Sequence, residues 1–204
     1  MSVDRTVTRS NLMANPAKPT LHRDVWLKKA LDVLFAHGIG NIKVEILARE
    51  LAVTKGSFYW HFKNRDELLH QMVDWWRDNQ IAFMERLDIR HITDAPNLIK
   101  SVIEFTHHTD DSRHDVAMRE FARFDRYATV AVAAIDRRRI DYLHALFQAA
   151  HFDPAEALLR AHALYFYQVG EYTTSLTMDA ELRDELAERR FRLLISRPEE
   201  AGPA

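Results

Sequence analysis

Apolar residues recur along this chain at three- and four-residue spacing, the period of helices that bury one face. Leu27, Ala30, Leu31, Leu34 and Phe35 share one stripe of a helix predicted over about residues 22–37, and Gly38 and Gly40 end it. A short helix follows from about Val44 to Leu51, with Ile46, Leu47 and Leu51 apolar. Ala52-Val53 reads as a tight turn. Thr54 is placed to cap a third helix running from Lys55 to about Phe62, its hydroxyl accepting from a free backbone N–H. Asn64, with Glu67 three residues on, forms an approximate capping box for a fourth helix reaching about Leu87.

The second half continues in the same manner. Asp94-Ala95-Pro96 opens a helix towards His107, because proline suits a first helical turn. Further helices are predicted over about Arg113–Phe124 and Ala128–Ala150. Asp153 caps the next, with Pro154 at its first position, towards Met178; the last runs from Asp179 to Ile195, and Pro198 closes the ordered part. About nine helices and no strand give an all-α fold. The 5 glycines and 6 prolines leave little turn chemistry for a β-rich alternative.

Composition narrows the function. Of 204 residues, 47% are hydrophobic, enough for a sizeable core. There is no cysteine, which removes disulfides, thiolate metal sites and cysteine nucleophiles and suits a reducing cytoplasm. No stretch approaches the ~18 apolar residues of a membrane helix. The first twenty residues lack the apolar segment of a signal peptide and read as a flexible arm. The net charge of −2 is unevenly divided. Residues 1–65 hold 11 Lys/Arg against 5 Asp/Glu (+6), whereas residues 66–204 hold 17 against 25 (−8). A basic front end suits contact with phosphates.

The most specific signal is the segment Ile-Leu-Ala-Arg-Glu-Leu-Ala-Val-Thr-Lys-Gly-Ser-Phe-Tyr-Trp-His-Phe-Lys-Asn-Arg-Asp-Glu-Leu-Leu at residues 46–69. Together with Ala30, Leu34, Phe35 and Gly38 upstream, it resembles the N-terminal signature of the tetracycline-repressor (TetR) family. The resemblance covers about 50 residues. It implies a helix-turn-helix DNA-binding domain over residues 21–66, followed over 67–204 by a helical domain for ligand binding and dimerisation. The third helix would enter a major groove about 12 Å wide, which requires small or polar side chains at its start; Thr54, Lys55, Gly56 and Ser57 supply them. Tyr59 and His61 are placed for phosphate oxygens, Lys63 and Arg65 add charge, and Lys43 stands where the family often touches phosphate. Phe58 and Phe62 belong to the core, while Trp60 could pack or reach DNA. The family usually has Ser or Thr where Lys43 stands. Glu45, next in the first turn, suits the helix dipole but would repel phosphate.

Beyond the fourth helix the resemblance is one of topology, and the expectations rest on residue type. Trp76, Phe83, Phe105, Met118, Phe121, Phe147 and Tyr165 are candidates to line an apolar pocket for a small-molecule effector. Leu158, His162, Tyr165, Val169 and Tyr172, with Leu186 and Leu194 of the last helix, are candidates for a homodimer interface. His107, His108 and His114 are better read as part of a solvated connection than as metal ligands, and no cofactor is expected. The reading is a cytoplasmic, ligand-responsive regulator that partners operator DNA and itself, most simply a repressor. The alternatives are a DNA-binding dimer without ligand response and a helical enzyme. No phosphate loop, nucleophile elbow or carboxylate pair supports the enzyme, and the acidic second half argues against a purely architectural DNA binder.

Overall fold

The computed structural model describes residues 22–86, 94–105, 110–174 and 178–197; of residues 105 and 110–112 it describes the backbone only. The arm read over residues 1–20 lies outside them, as do Leu87, His107, His108 and Pro198. Among the described residues there are nine helices and no strand: α1 (Arg23–His37), α2 (Val44–Glu50), α3 (Lys55–Tyr59), α4 (Arg65–Arg86), α5 (Ala95–Phe105), α6 (Asp110–Ala122), α7 (Arg126–Ala149), α8 (Pro154–Thr173) and α9 (Ala180–Ile195). A single 3-10 turn, Ile39–Asn41, joins α1 to α2. None of the described helices is long and apolar enough to cross a membrane.

The ends follow from local chemistry. Gly38 takes φ 73°, a left-handed conformation that costs glycine little, and its N–H closes α1 on the Leu34 carbonyl. Asn64 Oδ1 accepts from the Glu67 N–H, while Glu67 Oε2 accepts from the Lys63 N–H, a reciprocal cap at the start of α4. Asp125, Asp153 and Asp179 cap α7, α8 and α9 by accepting from backbone N–H groups, and Pro154 opens α8. Two expectations change. Thr54 has the extended backbone of an N-cap, but its side chain makes no capping bond. Phe35 is exposed, with the Arg113 guanidinium 5.8 Å from its ring, because Trp26 and Val33 take the buried positions it was expected to share. The inward face of α1 is therefore broader than a single stripe.

Packing gathers the helices around two apolar cores. The front core joins α1, α2, α3 and the first half of α4 to α6 and the first half of α7. Trp26, Phe58, Phe62, Met72, Trp76, Met118 and Ile135 all lie within it. The back core joins α5, the second half of α7, α8 and α9 through Ile99, Ile103, Leu146, Phe147, Ala161 and Leu164. Arg160 Nη1 donates to the Leu194 carbonyl, and Arg190 sits 3.9 Å from the Tyr167 ring centroid, holding α9 to α8.

Candidate nucleic-acid interface and effector region

The short helices α2 and α3 have 7 and 5 residues, too few to persist alone in water. They persist here because Leu47, Ala48 and Phe58 plunge into the front core. Phe58 meets Trp26 edge-on at 5.5 Å and Phe62 at 5.2 Å, which fixes the rotation of α3. Between α2 and α3 the chain reverses through Ala52, whose φ of 54° is left-handed, and the Val53 N–H returns to the Ala48 carbonyl.

With Phe58 turned inward, the rest of α3 faces out. Trp60 is 83% exposed and Tyr59 62% exposed, so the structure places Trp60 on the surface. Such aromatic exposure costs hydrophobic free energy in the isolated chain and is consistent with a partner. Gly56 adds a second sign. It is a poor helix former, up to about 1 kcal/mol worse than alanine. Yet a Cβ built there would meet only Thr54 Oγ1, at an ordinary 3.6 Å. Among the described residues nothing requires glycine at this position, which leaves the surface there open to close approach. Lys43, Thr54, Lys55 and Lys63 are exposed and Ser57 is half-buried around the same helix.

Two expected contacts are redirected. Arg65 points inward: its Nε donates to the Ile42 carbonyl at 2.7 Å and its Nη2 to the Ile39 carbonyl at 2.8 Å. It pins α4 to the segment between α1 and α2, sharing the Ile39 carbonyl with the Ile42 N–H, so two of its nitrogens are engaged within the chain. His61 is half-buried; its carbonyl accepts from Arg23 Nη2 at 2.6 Å. Its Nε2 is enclosed without a hydrogen-bond partner among the described residues, so a phosphate contact would fall to the other ring nitrogen. Glu45, expected to suit the helix dipole and to repel phosphate, also accepts from Lys55 Nζ at 2.8 Å.

The residues expected to line a pocket do not form one group. Trp76, Met118 and Phe121 lie in the front core, Phe147 and Tyr165 in the back core, and Phe83 is half-buried on α4. The Phe105 side chain lies outside the described residues. Between the cores runs a polar layer that sequence reasoning missed. Asp115, only 2% exposed, accepts from Arg119 Nε (2.8 Å), Arg139 Nη1 (2.9 Å) and Tyr172 Oη (2.8 Å). Arg119 also donates to Asp136 and to Tyr165 Oη, Tyr165 donates to Asp136, and Arg139 reaches Gln80 of α4. Two acids and two guanidiniums thus balance within one network that links α4, α6, α7 and α8. Burial alone would raise the Asp115 carboxyl, but Arg139 and Arg119 beside it bring it below its ordinary range. Burial pushes the Tyr165 phenol up to about 12, so it is a neutral donor here.

The dimer candidates also need correcting. Tyr165 and Leu194 are buried in the chain's own back core, Val169 packs against it, and Tyr172 is spent on Asp115. The outward apolar residues of α8 are Leu158, already a candidate, with Leu159 and Phe166. Those of α9 are Leu182 and Leu193. Leu186 and His162 are half-buried alongside. The stripe read from spacing and the outward face of the chain differ because α8 is apolar on two sides. His114, from the histidine group, lies 3.0 Å from Asp32 Oδ1, linking α6 to α1.

Comparison with known proteins agrees with this geometry. Residues 27–72 match the bacterial regulatory proteins of the tetR family. The HTH-type transcriptional regulator TtgW of Pseudomonas putida is 35% identical over 60 residues, 29% of this chain and 43% of TtgW, less than half that relative's length. Among solved structures, a transcriptional regulator from Rhodococcus sp. Rha1 superposes with a TM-score of 0.66 at 16% identity, over 86% of this chain and 94% of its own. GusR of Salmonella enterica does so with a TM-score of 0.64 at 17% identity, over 90% and 97%. The chain thus carries a segment similar to the tetR family over residues 27–72, set within the all-helical fold of these solved proteins.

Proposed function

We propose that this chain is a DNA-binding transcriptional regulator of the tetR family, a cytoplasmic homodimeric repressor that leaves its operator when a small, largely apolar effector binds among α4, α6 and α7. The observation that carries the reading is the shared front core. Met118 and Phe121 of α6, Ile135 of α7 and Trp76 of α4 pack in the same cluster as Trp26, Leu47 and Phe58 of the DNA-reading helices. A close-packed core does not deform smoothly. A ligand that displaces α6 or α7 would therefore re-seat α4 and α1, and with them the angle of α3. Dimerisation enters because a helix-turn-helix reads two half-sites through two copies. The outward apolar residues Leu159 and Phe166 of α8 and Leu193 of α9 are the surface for the second copy.

The test begins with the full chain and duplexes selected from a randomised library. Tyr59→Ala should weaken binding to the selected site by roughly 1–3 kcal/mol, with the melting temperature unchanged. Phe166→Asp should yield monomers in sedimentation equilibrium, because a dimer would bury its carboxylate unpaired. Since Phe166 is exposed within one chain, the monomer should remain folded and bind DNA poorly. An apolar extract of the host cells should release the selected duplex, and mass spectrometry of the retained protein identifies the effector. A protein that keeps its DNA against every extract fraction would be a dimeric DNA binder without ligand response.

A further inference from the structure

We propose that Glu45 and Lys55 act as one reading unit: a donor–acceptor couple that recognises a G·C base pair in the major groove and lowers affinity for DNA of other sequence. The inference rests on α3 being the helix that enters the groove, as proposed above. Lys55 Nζ donates to Glu45 Oε1 at 2.8 Å across the turn between α2 and α3, and the side chains are 59% and 58% exposed. Lys55 and Tyr59 stand four residues apart and share one face of α3. So exposed a pair adds little to the stability of the fold. It also works against plain backbone binding. The carboxylate repels phosphates, and a lysine already neutralised by it releases fewer counterions on contact with DNA.

What the pair gains depends on the base edge it meets. Its carboxylate needs a donor, and in the major groove donors are cytosine N4 and adenine N6. In a G·C pair, guanine O6 lies directly beside cytosine N4, with guanine N7 on its far side. The two N–H groups left on the Lys55 ammonium suit O6 and N7, while Glu45 accepts from N4 without releasing Lys55. An A·T pair also sets a donor beside an acceptor. There, however, the thymine methyl flanks the acceptor and adenine N7 lies beyond N6, so the ammonium meets one acceptor instead of two. The bond from Lys55 also holds the Glu45 carboxyl below its ordinary range, which keeps it an acceptor.

The experiment compares full-length parent, Glu45→Gln, Lys55→Gln and Tyr59→Ala in selection from a randomised duplex library and in titrations with a mixed-sequence duplex. The parent should enrich G·C at one position of each half-site, and both pair variants should lose that preference by about tenfold while neighbouring positions keep theirs. On the mixed-sequence duplex Glu45→Gln should bind several-fold more tightly than the parent, with a salt dependence steeper by about one counterion, as Lys55 becomes free for phosphate. Equal melting temperatures establish that the variants are folded. If Tyr59→Ala loses binding while both pair variants select and titrate like the parent, the pair is not a reader and the proposal fails alone. If Tyr59→Ala binds every duplex like the parent, α3 is not the groove helix and both readings fail.

Discussion

The two cores of this molecule are built from different residues and face different ends of the chain's helices. The front core is aromatic: Trp26, Phe58, Phe62 and Trp76 interlock around two helices too short to stand alone. The back core also holds rings, Phe147, Phe152 and Tyr165, but it is richer in alanine, with Ala157 and Ala161 of α8 buried in it. Large rings fix the attitude of small elements, whereas small residues let long rods pack side by side. The outer surfaces diverge accordingly. Over the front core, Lys43, Lys55, Tyr59 and Trp60 face outwards; over the back core, Leu159, Phe166 and Leu193 do. One region presents lysines and polar-tipped rings, the other apolar side chains, and the charged layer between them ties the two together.

The largest effect should come from breaking that layer. Asp115→Asn leaves Arg119 and Arg139 facing each other without their shared carboxylate, and should cost about 3–5 kcal/mol, as loss of one partner of a buried ion pair does. The cores should then separate in calorimetry, the parent's single transition becoming two. The pH dependence has a definite sign. The folded pKa of Asp115 lies below its unfolded value, so its contribution is fully present above about pH 4. It is lost as the pH falls through the lowered folded pKa. Urea midpoints of parent and variant should therefore differ by a constant amount near neutrality and converge in acid. A variant whose midpoint tracks the parent's at neutral pH would mean that the two cores do not depend on the layer.

Local chemistry in the sequence was legible where it acts over a few residues. The caps Asn64 and Asp153, the break at Gly38 and the turn at Ala52-Val53 all appear where they were read. The short helices α2 and α3 were legible because their signature is contiguous. The charged layer was not, because its members are spread over four helices, from Gln80 to Tyr172. A signal was nonetheless present: Arg139 stands four residues from both Ile135 and Leu143, on the buried stripe of α7, where an isolated charge would be untenable. The inward turn of Arg65 was invisible for the opposite reason. Its partners are backbone carbonyls, which leave no trace in residue type. On α8, apolar residues on two faces made the outward phase ambiguous until the packing of α5 and α7 resolved it.

Gly56→Ala separates stability from recognition in the front region. With no side chain nearer than 3.6 Å to the added Cβ, the free protein should gain up to about 1 kcal/mol in thermal unfolding. Affinity for the selected duplex should fall by about tenfold or more if a bound DNA backbone occupies that space. No comparable trade is expected at Gly170 in α8, where a Cβ meets nothing within 4 Å. Gly170→Ala should therefore stabilise without changing DNA affinity. Equal DNA affinities for parent and Gly56→Ala would remove the case for close approach.

The smallest effect compares the two left-handed residues that are not glycine. Ala52, between α2 and α3, has φ 54°, and His151, after α7, has φ 67°. Alanine pays more for this conformation than histidine, whose side chain is found there more often. Replacing either by glycine removes the strain but adds freedom to the unfolded chain, and the two terms partly cancel. Ala52→Gly should therefore raise stability by less than about 1 kcal/mol, and His151→Gly should be close to neutral. The hydrogen bonds that close each turn, from Val53 to Ala48 and from Phe152 to Phe147, are kept in both variants. DNA affinity should then be unchanged if the turn merely connects α2 to α3. A gain in stability at Ala52 accompanied by weaker DNA binding would show that the strained turn holds α3 at the angle the groove requires, making strain in the front region a part of recognition that the back region has no use for.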